Sequence, residues 1–180
     1  MKLLVKNISK HIGKKEILKD ISIELESGKV YGFVGKNGSG KTMLFRALSG
    51  LMDISSGKIF LDNKELHKDM RVLENVGIRK TIVRVGLNPN DKRSFKKYSL
   101  GMKQRIVIAQ AIMEKPDILM LDEPTNALDE EGIEQIRKII KEERERGAIV
   151  LIASHNKEDI EVLADKVFSI SNGMLKESEE

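Results

Sequence analysis

Hydrophobic and polar residues alternate near the start of the chain in the pattern of β-strands. Ile21, Ile23 and Leu25 are separated by polar residues, so an extended segment there buries one face and exposes the other. We predict strands over 3–8 and 17–25, and a strand covered on both faces over the apolar run 30–34.

After residue 40, helical and strand-like patterns take turns. Apolar residues recur with helical spacing over 41–51, and 129–146 predicts an amphipathic helix with isoleucines inward and the charged residues 142–146 outward. Residues 62–97 show weak periodicity and predict no element. The alternation predicts an α/β fold with a parallel sheet covered by helices. The remaining predictions are strands at 57–61, 117–121 and 148–154, helices at 100–114 and 157–164, an edge strand at 166–171 and a frayed acidic end at 177–180.

Composition excludes several classes of chemistry. The 180 residues suit one domain, and the absence of cysteine excludes thiol catalysis, cysteine-ligated zinc and disulfides. The net charge of +4 is evenly spread, so nucleic acid is not an expected partner. The longest apolar run, 148–153, is far shorter than the roughly 20 residues that cross a bilayer, and the N-terminus lacks a signal-peptide pattern. We therefore expect a cytoplasmic location.

A glycine-rich loop follows the apolar run 30–34. Residues 35–42, GKNGSGKT, match the phosphate-binding pattern G-x-x-x-x-G-K-[ST] at every fixed position. Glycines let backbone N–H groups face phosphate oxygens, Lys41 supplies a positive charge for the β and γ phosphates, and the Thr42 hydroxyl can ligate Mg²⁺. A plain glycine turn is the alternative, and the predicted strand before the loop and helix after it disfavour that alternative.

Two carboxylates, Asp122 and Glu123, follow the apolar strand at 117–121. Ligands sit at the carboxyl ends of the strands of a parallel sheet, so we expect Asp122 to hold Mg²⁺ directly or through water. Glu123 would point the opposite way in an extended strand and act as a base for an attacking water. Taken alone, the pair is as well explained by solvated acids, and the phosphate loop in the same chain favours the catalytic interpretation.

Four further segments extend these motifs into a family pattern. YSLGMKQR at 98–105 resembles the signature motif of the ATP-binding subunits of ABC transporters, in the variant form of antibiotic and lantibiotic exporters. DEPTNALD at 122–129 resembles the Walker B motif and D-loop of that family, ASH at 153–155 its switch histidine, and SNGML at 171–175 its closing strand. The resemblance covers nearly the whole chain in family order.

The resemblance implies a P-loop NTPase fold in one ATP-binding domain, 1–180, with a central, mostly parallel sheet. An N-terminal antiparallel β subdomain is expected at about 1–30 and 57–62, a shortened helical subdomain at about 64–115, and the P-loop core in the remainder. ATP and Mg²⁺ are the implied cofactors, and ATP hydrolysis coupled to transport is the implied activity.

The same resemblance implies the roles of individual residues. Glu123, His155 and Lys41 are the implied catalytic residues, and Thr42 and Asp122 the implied metal ligands. Without the family context, Ser99 is a plain helix N-cap and His155 a surface histidine. The implied nucleotide contacts are His11, Gly35, Asn37, Gly38, Ser39, Gly40, Lys41, Thr42, Ser99, Gly101 and Asp129.

The chain departs from the family in three places. His11 aligns with an adenine-stacking aromatic residue, and Leu100 and Met102 replace the commoner Gly and Gln of the signature. Lys41 and Ser99 are only 58 positions apart, and no glutamine lies between them to form the family's Q-loop. Around 74–78 the sequence reads as though a segment were missing. Either the protein lacks that segment or a stretch has been omitted from the sequence, and we favour the omission. His67 is expected at the surface.

The implied assembly is a head-to-tail dimer, by default of two identical chains, on a separate transmembrane permease at the cytoplasmic face of the membrane. Two other functions remain open. Loss of the Q-loop segment favours a nucleotide-binding module that dimerises without driving transport. A soluble ABC-type ATPase acting on ribosomes or DNA is disfavoured, because the chain has neither paired ATP domains nor long coiled-coil insertions.

Overall fold

The computed structural model of the protein describes residues 1–66 and 78–178; His67 and most of the stretch 74–78 lie outside these ranges. The first sheet that they form is antiparallel, with strand order β2-β1-β4-β5. In β2, Ile21, Ile23 and Leu25 are buried and alternate with exposed residues, as predicted. The strands of this sheet are β1 (Lys2–Ile12), β2 (Lys15–Glu26), β4 (Ser56–Leu61) and β5 (Lys64–Glu65).

The second sheet of the described residues has the order β6-β7-β3-β8-β9 and is parallel except for β9. The predicted α/β class, with a mostly parallel central sheet and an antiparallel β region near the N-terminus, is confirmed. The strands are β3 (Lys29–Val34), β6 (Ile118–Asp122), β7 (Ile149–Ala153), β8 (Lys166–Ser171) and β9 (Met174–Glu177).

Helices cover the parallel sheet. Three of them, α3, α4 and α5, match predicted helices to within two residues at each end, whereas α2 falls in the stretch where no element was predicted. A single 3₁₀ turn, Phe95–Lys97, precedes α3. The helices are α1 (Lys41–Leu48), α2 (Ile78–Arg84), α3 (Leu100–Ile112), α4 (Glu130–Glu145) and α5 (Lys157–Leu163).

The parallel sheet separates two hydrophobic clusters. Strand β7 is fully buried and supplies both, because successive side chains point to opposite faces. Leu151 and Ala153 pack with the antiparallel sheet and α1 on one face. Val150 and Ile152 pack with α3, α4 and α5 on the other. Burial on both faces explains why this strand is a continuous apolar run, and it fixes the strand ends that carry the site.

Two predictions about the C-terminal strands are wrong. Strand β8 is not at the edge, since it lies between β3 and β9. Glu177 does not belong to a frayed tail, because it closes β9 and pairs with Phe168 in the antiparallel register.

Two predictions about helix faces are also wrong. Helix α1 ends at Leu48, and Leu51, predicted to be on its buried face, is 80% exposed. Glu143 is predicted to be outward but is only 2% exposed. Its carboxylate accepts hydrogen bonds from Arg84 and Arg146, both at 2.9 Å, and this pairing makes the burial of the charge tolerable.

Candidate active site

The loop between β3 and α1 depends on its glycines. Gly38 and Gly40 have φ values of +78° and +117°, in the left-handed region that favours glycine. At Gly35 a Cβ atom would lie 2.4 Å from the carbonyl oxygen of Ile170, so no larger residue fits. The Ser39 N–H donates to the Lys36 carbonyl at 3.1 Å and closes the turn. These contacts hold the loop at the carboxyl end of β3.

The loop leads directly into the N-terminus of α1, where no side chain caps the helix and an anion can bind. Gly40 is the N-cap residue and supplies no side-chain cap, and the first turn carries no acidic residue. The first amide groups of the helix therefore point at the loop together with the positive end of the helix dipole. Lys41 is 7% exposed, and its ammonium donates to the Gly35 carbonyl at 2.6 Å. The Ser39 hydroxyl oxygen is buried and has no hydrogen-bond partner in the described part of the chain. Asn37, in the same loop, is exposed.

Thr42 meets a carboxylate that the sequence places 80 positions away. Its hydroxyl donates to Asp122 Oδ2 at 2.6 Å. Asp122 is the last residue of β6, and the parallel register brings the carboxyl ends of β6 and β3 to the same edge of the sheet. A hydroxyl and a carboxylate oxygen side by side beside a phosphate loop are the ligands that Mg²⁺ takes from proteins when it also binds substrate phosphates.

The orientation of Glu123 is set by a turn in the backbone and not by the alternation of side chains along a strand. Strand β6 ends at Asp122, and Glu123 has φ +51°, so the expected orientation within an extended strand is wrong. Its N–H donates to the Ala153 carbonyl at 2.8 Å, which ties the turn to the end of β7. A glutamate in the left-handed region is uncommon and points to a conformation held by its surroundings.

The turn brings Glu123 against His155. The imidazole Nδ1 lies 2.7 Å from Glu123 Oε2, and the His155 N–H donates to the same oxygen at 3.4 Å. The two groups are therefore in direct contact at the edge of the sheet where Asp122 also ends its strand. His155 is 65% exposed at its side chain and Glu123 26%, so both remain accessible to a substrate.

Gln104 contacts this turn and has no role in the sequence-based assignment. Its side-chain amide donates to the Glu123 carbonyl at 3.1 Å and to the Pro124 carbonyl at 3.4 Å. The residue lies in α3, so the amide fastens that helix to the turn at Glu123 and Pro124. The only sequence signal was its place in the segment 98–105.

A cavity away from the phosphate loop is lined by Ser99, Gly101 and Asp129. Ser99 caps α3, with its oxygen accepting from the Met102 N–H at 3.2 Å. A Cβ on Gly101 would lie 2.7 Å from the Ala127 carbonyl oxygen, so α3 packs closely on the loop after β6. The cavity has a volume of about 470 Å³, and its described lining contains no residue of the phosphate loop.

Asp129 caps α4 and also binds Arg105. Its Oδ1 accepts from the Gly132 N–H at 3.1 Å and lies 3.0 Å from the Arg105 guanidinium. Arg105 also donates to the Val85 carbonyl at 2.9 Å and to Gln135 at 2.8 Å. Arg105 lies in the signature segment, and it joins α3 to α4 and to the residue that directly follows α2.

His11 lies in β1, opposite Glu16 of β2. Its Nε2 is 3.7 Å from Glu16 Oε1, and its side chain is 51% exposed. Ile17, the residue after Glu16 in β2, lies next to the phosphate loop, because a Cβ on Gly40 would be 3.4 Å from the Ile17 carbonyl oxygen. His11 is thus on the strand pair that borders the loop, with its ring open to solvent.

A parallel sheet with a glycine loop, a buried lysine and paired Thr and Asp oxygens at one edge defines a P-loop nucleotide-binding protein. The sequence profile described as ABC transporter matches residues 18–91 and 71–126. The uncharacterized ABC transporter ATP-binding protein YybJ of Bacillus subtilis is 42% identical over 207 residues, covering 97% of this chain and 95% of the relative. The chain belongs to the ABC transporter family, as one of its ATP-binding, ATP-hydrolysing subunits.

A second relative agrees with this membership, and a solved structure agrees with the fold. The lantibiotic transport ATP-binding protein SrtF of Streptococcus pyogenes is 34% identical, covering 96% of this chain and 88% of that protein. A dimeric post-hydrolysis structure of the ATP-binding cassette MJ0796, bound to ADP and Pi, aligns with a TM-score of 0.84 and 19% identity over 99% of both chains. At that identity, the structural likeness concerns the fold.

The comparisons also bear on the small number of positions that separate Lys41 from Ser99 in the sequence. The alignment with the Bacillus relative spans 207 positions, whereas this chain has 180 residues in all, so at least 27 positions of the relative face a gap. The two segments matched by the family profile share 71–91, which locates the discontinuity in that interval. Relative to that protein, the 180-residue sequence lacks a segment between Lys41 and Ser99, and the interpretation that a stretch was omitted from the sequence stays a prediction.

Proposed function

We propose that the chain powers an exporter as one of two ATP-hydrolysing subunits, in a single ATP-binding domain over 1–180. Its antiparallel β subdomain comprises about 1–30 and 57–62, its shortened helical subdomain about 64–115, and its P-loop core the remainder. The observation that carries the proposal is the contact between Glu123 and His155, 2.7 Å apart.

Each group at the edge of the sheet has a distinct task in this proposal. Lys41 and the N-terminus of α1 bind the phosphates, and Thr42 and Asp122 are the residues that would hold Mg²⁺. When bound, Mg²⁺ would neutralise charge on the phosphate oxygens. Glu123 takes a proton from the attacking water, and His155 contacts the γ-phosphate and holds the water in line. Gly35, Asn37, Gly38, Ser39 and Gly40 form the cradle, and His11 contacts the base.

Two copies complete each other's sites in this proposal. Ser99, Gly101 and Asp129 surround a cavity whose described lining is separate from the phosphate loop. In one chain the signature segment therefore has no phosphate to bind. A head-to-tail homodimer supplies one, because Ser99 of each copy then faces the nucleotide held by Lys41 of the other.

Export is supported by the kind of relative that matches. SrtF, 34% identical over most of both chains, is a lantibiotic transport ATP-binding protein. Among residues 1–66 and 78–178, none of the helices combines the length and the apolar character needed to cross a bilayer. A separate permease would supply the pathway, and the subunit would sit on it at the cytoplasmic face of the membrane.

The missing segment favours one second candidate, a module that dimerises on ATP without driving transport. At least 27 positions of the Bacillus relative have no counterpart here, and no glutamine lies between Thr42 and Ser99. Nucleotide binding uses the loop and strand ends described above, all outside the gap. Binding can therefore survive where coupling to a permease does not.

Complementation between two inactive variants tests the composite dimer. Lys41→Met and Ser99→Ala are each expected to hydrolyse Mg-ATP poorly alone. An equal mixture forms mixed dimers with one intact site, so we expect about a quarter of wild-type turnover to return. No recovery on mixing contradicts the head-to-tail assignment. Wild-type protein that doubles its mass with ATP but shows no turnover supports the second candidate instead.

A further inference from the structure

A buried polar cluster lies beside the catalytic turn and is not used by the site described above. Asp159 is fully buried, and Arg137 and Thr125 are 6% and 7% exposed. The Thr125 hydroxyl donates a short hydrogen bond to Asp159 Oδ2. Arg137 Nε donates to Asp159 Oδ1 at 2.9 Å, and its Nη2 lies 2.8 Å from the same oxygen. A buried carboxylate is costly unless it is paired, so these bonds hold the three side chains together.

The three residues come from three different segments of the site. Thr125 lies two positions after Glu123, in the loop between β6 and α4. Asp159 lies in the first turn of α5, four positions after His155. Arg137 belongs to α4, the helix that begins where this loop ends. The Asp159 carboxylate therefore joins the segment that carries the proposed base to the segment that carries the histidine.

The arginine is held firmly in this arrangement. Its Nη1 lies 3.1 Å from Glu158 Oε1 and 2.9 Å from Glu134 Oε1. The hydrogen bond with Glu158, followed by that with Asp159, raises the pKa of Arg137 above its ordinary value. The guanidinium thus remains a buried cation with three carboxylate partners, and it fixes Asp159 from the side opposite Thr125.

The loop that Thr125 tethers needs such support. Glu123 and Ala127 both have left-handed backbones, with φ +51° and +61°, although neither is glycine. Such conformations cost free energy and persist where neighbouring groups determine them. The Leu128 N–H donates to the Thr125 carbonyl at 3.2 Å, and Asn126 N–H donates to the Glu123 carbonyl at 3.2 Å. The Thr125 side chain anchors the middle of this short coil to α5, in addition to the bonds that Gln104 and Ala153 make at Glu123.

We propose that Thr125, Asp159 and Arg137 form a positioning network that sets the separation of Glu123 and His155. The inference rests on the proposed ATP hydrolysis, and the network acts through those two residues without touching the substrate. Removing the Thr125 hydroxyl releases the turn on one side and leaves Asp159 with an unused oxygen. The base and the histidine then lose their relative alignment, while Lys41 and the phosphate loop keep theirs.

The test compares Thr125→Val, which keeps the shape and removes the hydroxyl, with Thr125→Ser, which restores it. For Thr125→Val we expect kcat for Mg-ATP to fall about 10- to 100-fold with KM within about twofold of wild type, since small misplacements of catalytic groups cost this much. Thr125→Ser should recover most of kcat. Ser94→Ala removes an exposed hydroxyl that makes no side-chain cap bond, outside the network, and should keep wild-type kcat.

Amide hydrogen exchange gives a readout that does not need turnover. In nucleotide-free protein, Thr125→Val should speed exchange over 123–128 and leave the phosphate loop unchanged, and Thr125→Ser should not. Wild-type kcat in Thr125→Val overturns the positioning role, as does a parallel loss of ATP affinity and folding. If the wild-type protein shows no hydrolysis, the proposed function has failed. The network is then tested by exchange alone, and unchanged exchange over 123–128 in Thr125→Val would overturn it.

Discussion

The ammonium of Lys41 is buried against a neutral partner, so its removal should affect the free and nucleotide-bound protein differently. The residue is 7% exposed and donates to the Gly35 carbonyl at 2.6 Å. A neutral carbonyl compensates only part of the cost of burying a charge. Lys41→Met keeps the length of the side chain and removes that charge. Without nucleotide, the lost hydrogen bond is offset by the relief of desolvation, and we expect no loss of stability.

With Mg-ATP present, the same variant loses charged hydrogen bonds to the phosphates. Such bonds contribute about 1.5–3 kcal/mol, so affinity should fall about 10- to 150-fold. At an ATP concentration of about 100 times the wild-type Kd, binding stabilises the wild type by about 2.7 kcal/mol. At that concentration the weakened variant gains only about 0.3–1.4 kcal/mol.

Thermal unfolding with and without Mg-ATP measures both effects. For a chain of this size about 2–4 °C corresponds to 1 kcal/mol, so ATP should raise Tm by about 5–11 °C in the wild type and about 1–6 °C in Lys41→Met. Lys36→Met is the matched control, because Lys36 lies exposed in the same loop. The reasoning is refuted if Lys41→Met keeps the full ATP shift, or if its nucleotide-free Tm falls by more than about 4 °C.

Three other substitutions test separate parts of the structure. Glu143→Gln leaves the guanidinium groups of Arg84 and Arg146 facing a neutral amide, so urea unfolding should show a loss of about 2–3 kcal/mol; an unchanged midpoint contradicts the buried pairing. Asp122→Asn should weaken Mg-ATP binding on the order of tenfold, and EDTA should abolish its difference from wild type if the carboxylate serves the metal. Ser99→Ala removes the cap of α3 and should lower the unfolding free energy by about 1 kcal/mol, measured by denaturant titration; a wild-type value would show that the cap contributes nothing.

Local features of the site could be predicted because their physics is local. The spacing of glycines, Lys41 and Thr42 specifies a loop whose positive φ angles and close contacts admit little else. The run ending at Asp122 is apolar because one face of the strand, with Leu119 and Leu121, is buried and the other is partly covered, and parallel register then carries the carboxylate to Thr42. Neither inference needed knowledge of a distant contact.

Features that depend on distant partners could not be predicted in this way. Glu123 leaves the strand with a left-handed backbone while its N–H still bonds to the Ala153 carbonyl of the neighbouring strand, and no local signal in the sequence marks a left-handed glutamate. Glu143 is buried because Arg84 reaches it from α2, a helix in a segment with weak periodicity. The role of Thr125 could not be predicted for the same reason, because its partner Asp159 lies 34 positions away in the sequence.

Steady-state hydrolysis of Mg-ATP by wild type and Glu123→Gln, with ATP binding measured in parallel, tests the central claim most directly. The amide keeps the size of the side chain and cannot take a proton from water. The account predicts measurable turnover in the wild type, a loss of about 100-fold or more in Glu123→Gln, and ATP affinity within about threefold of wild type. Equal turnover in the two proteins would contradict the role of Glu123 and, with it, the catalytic site described here.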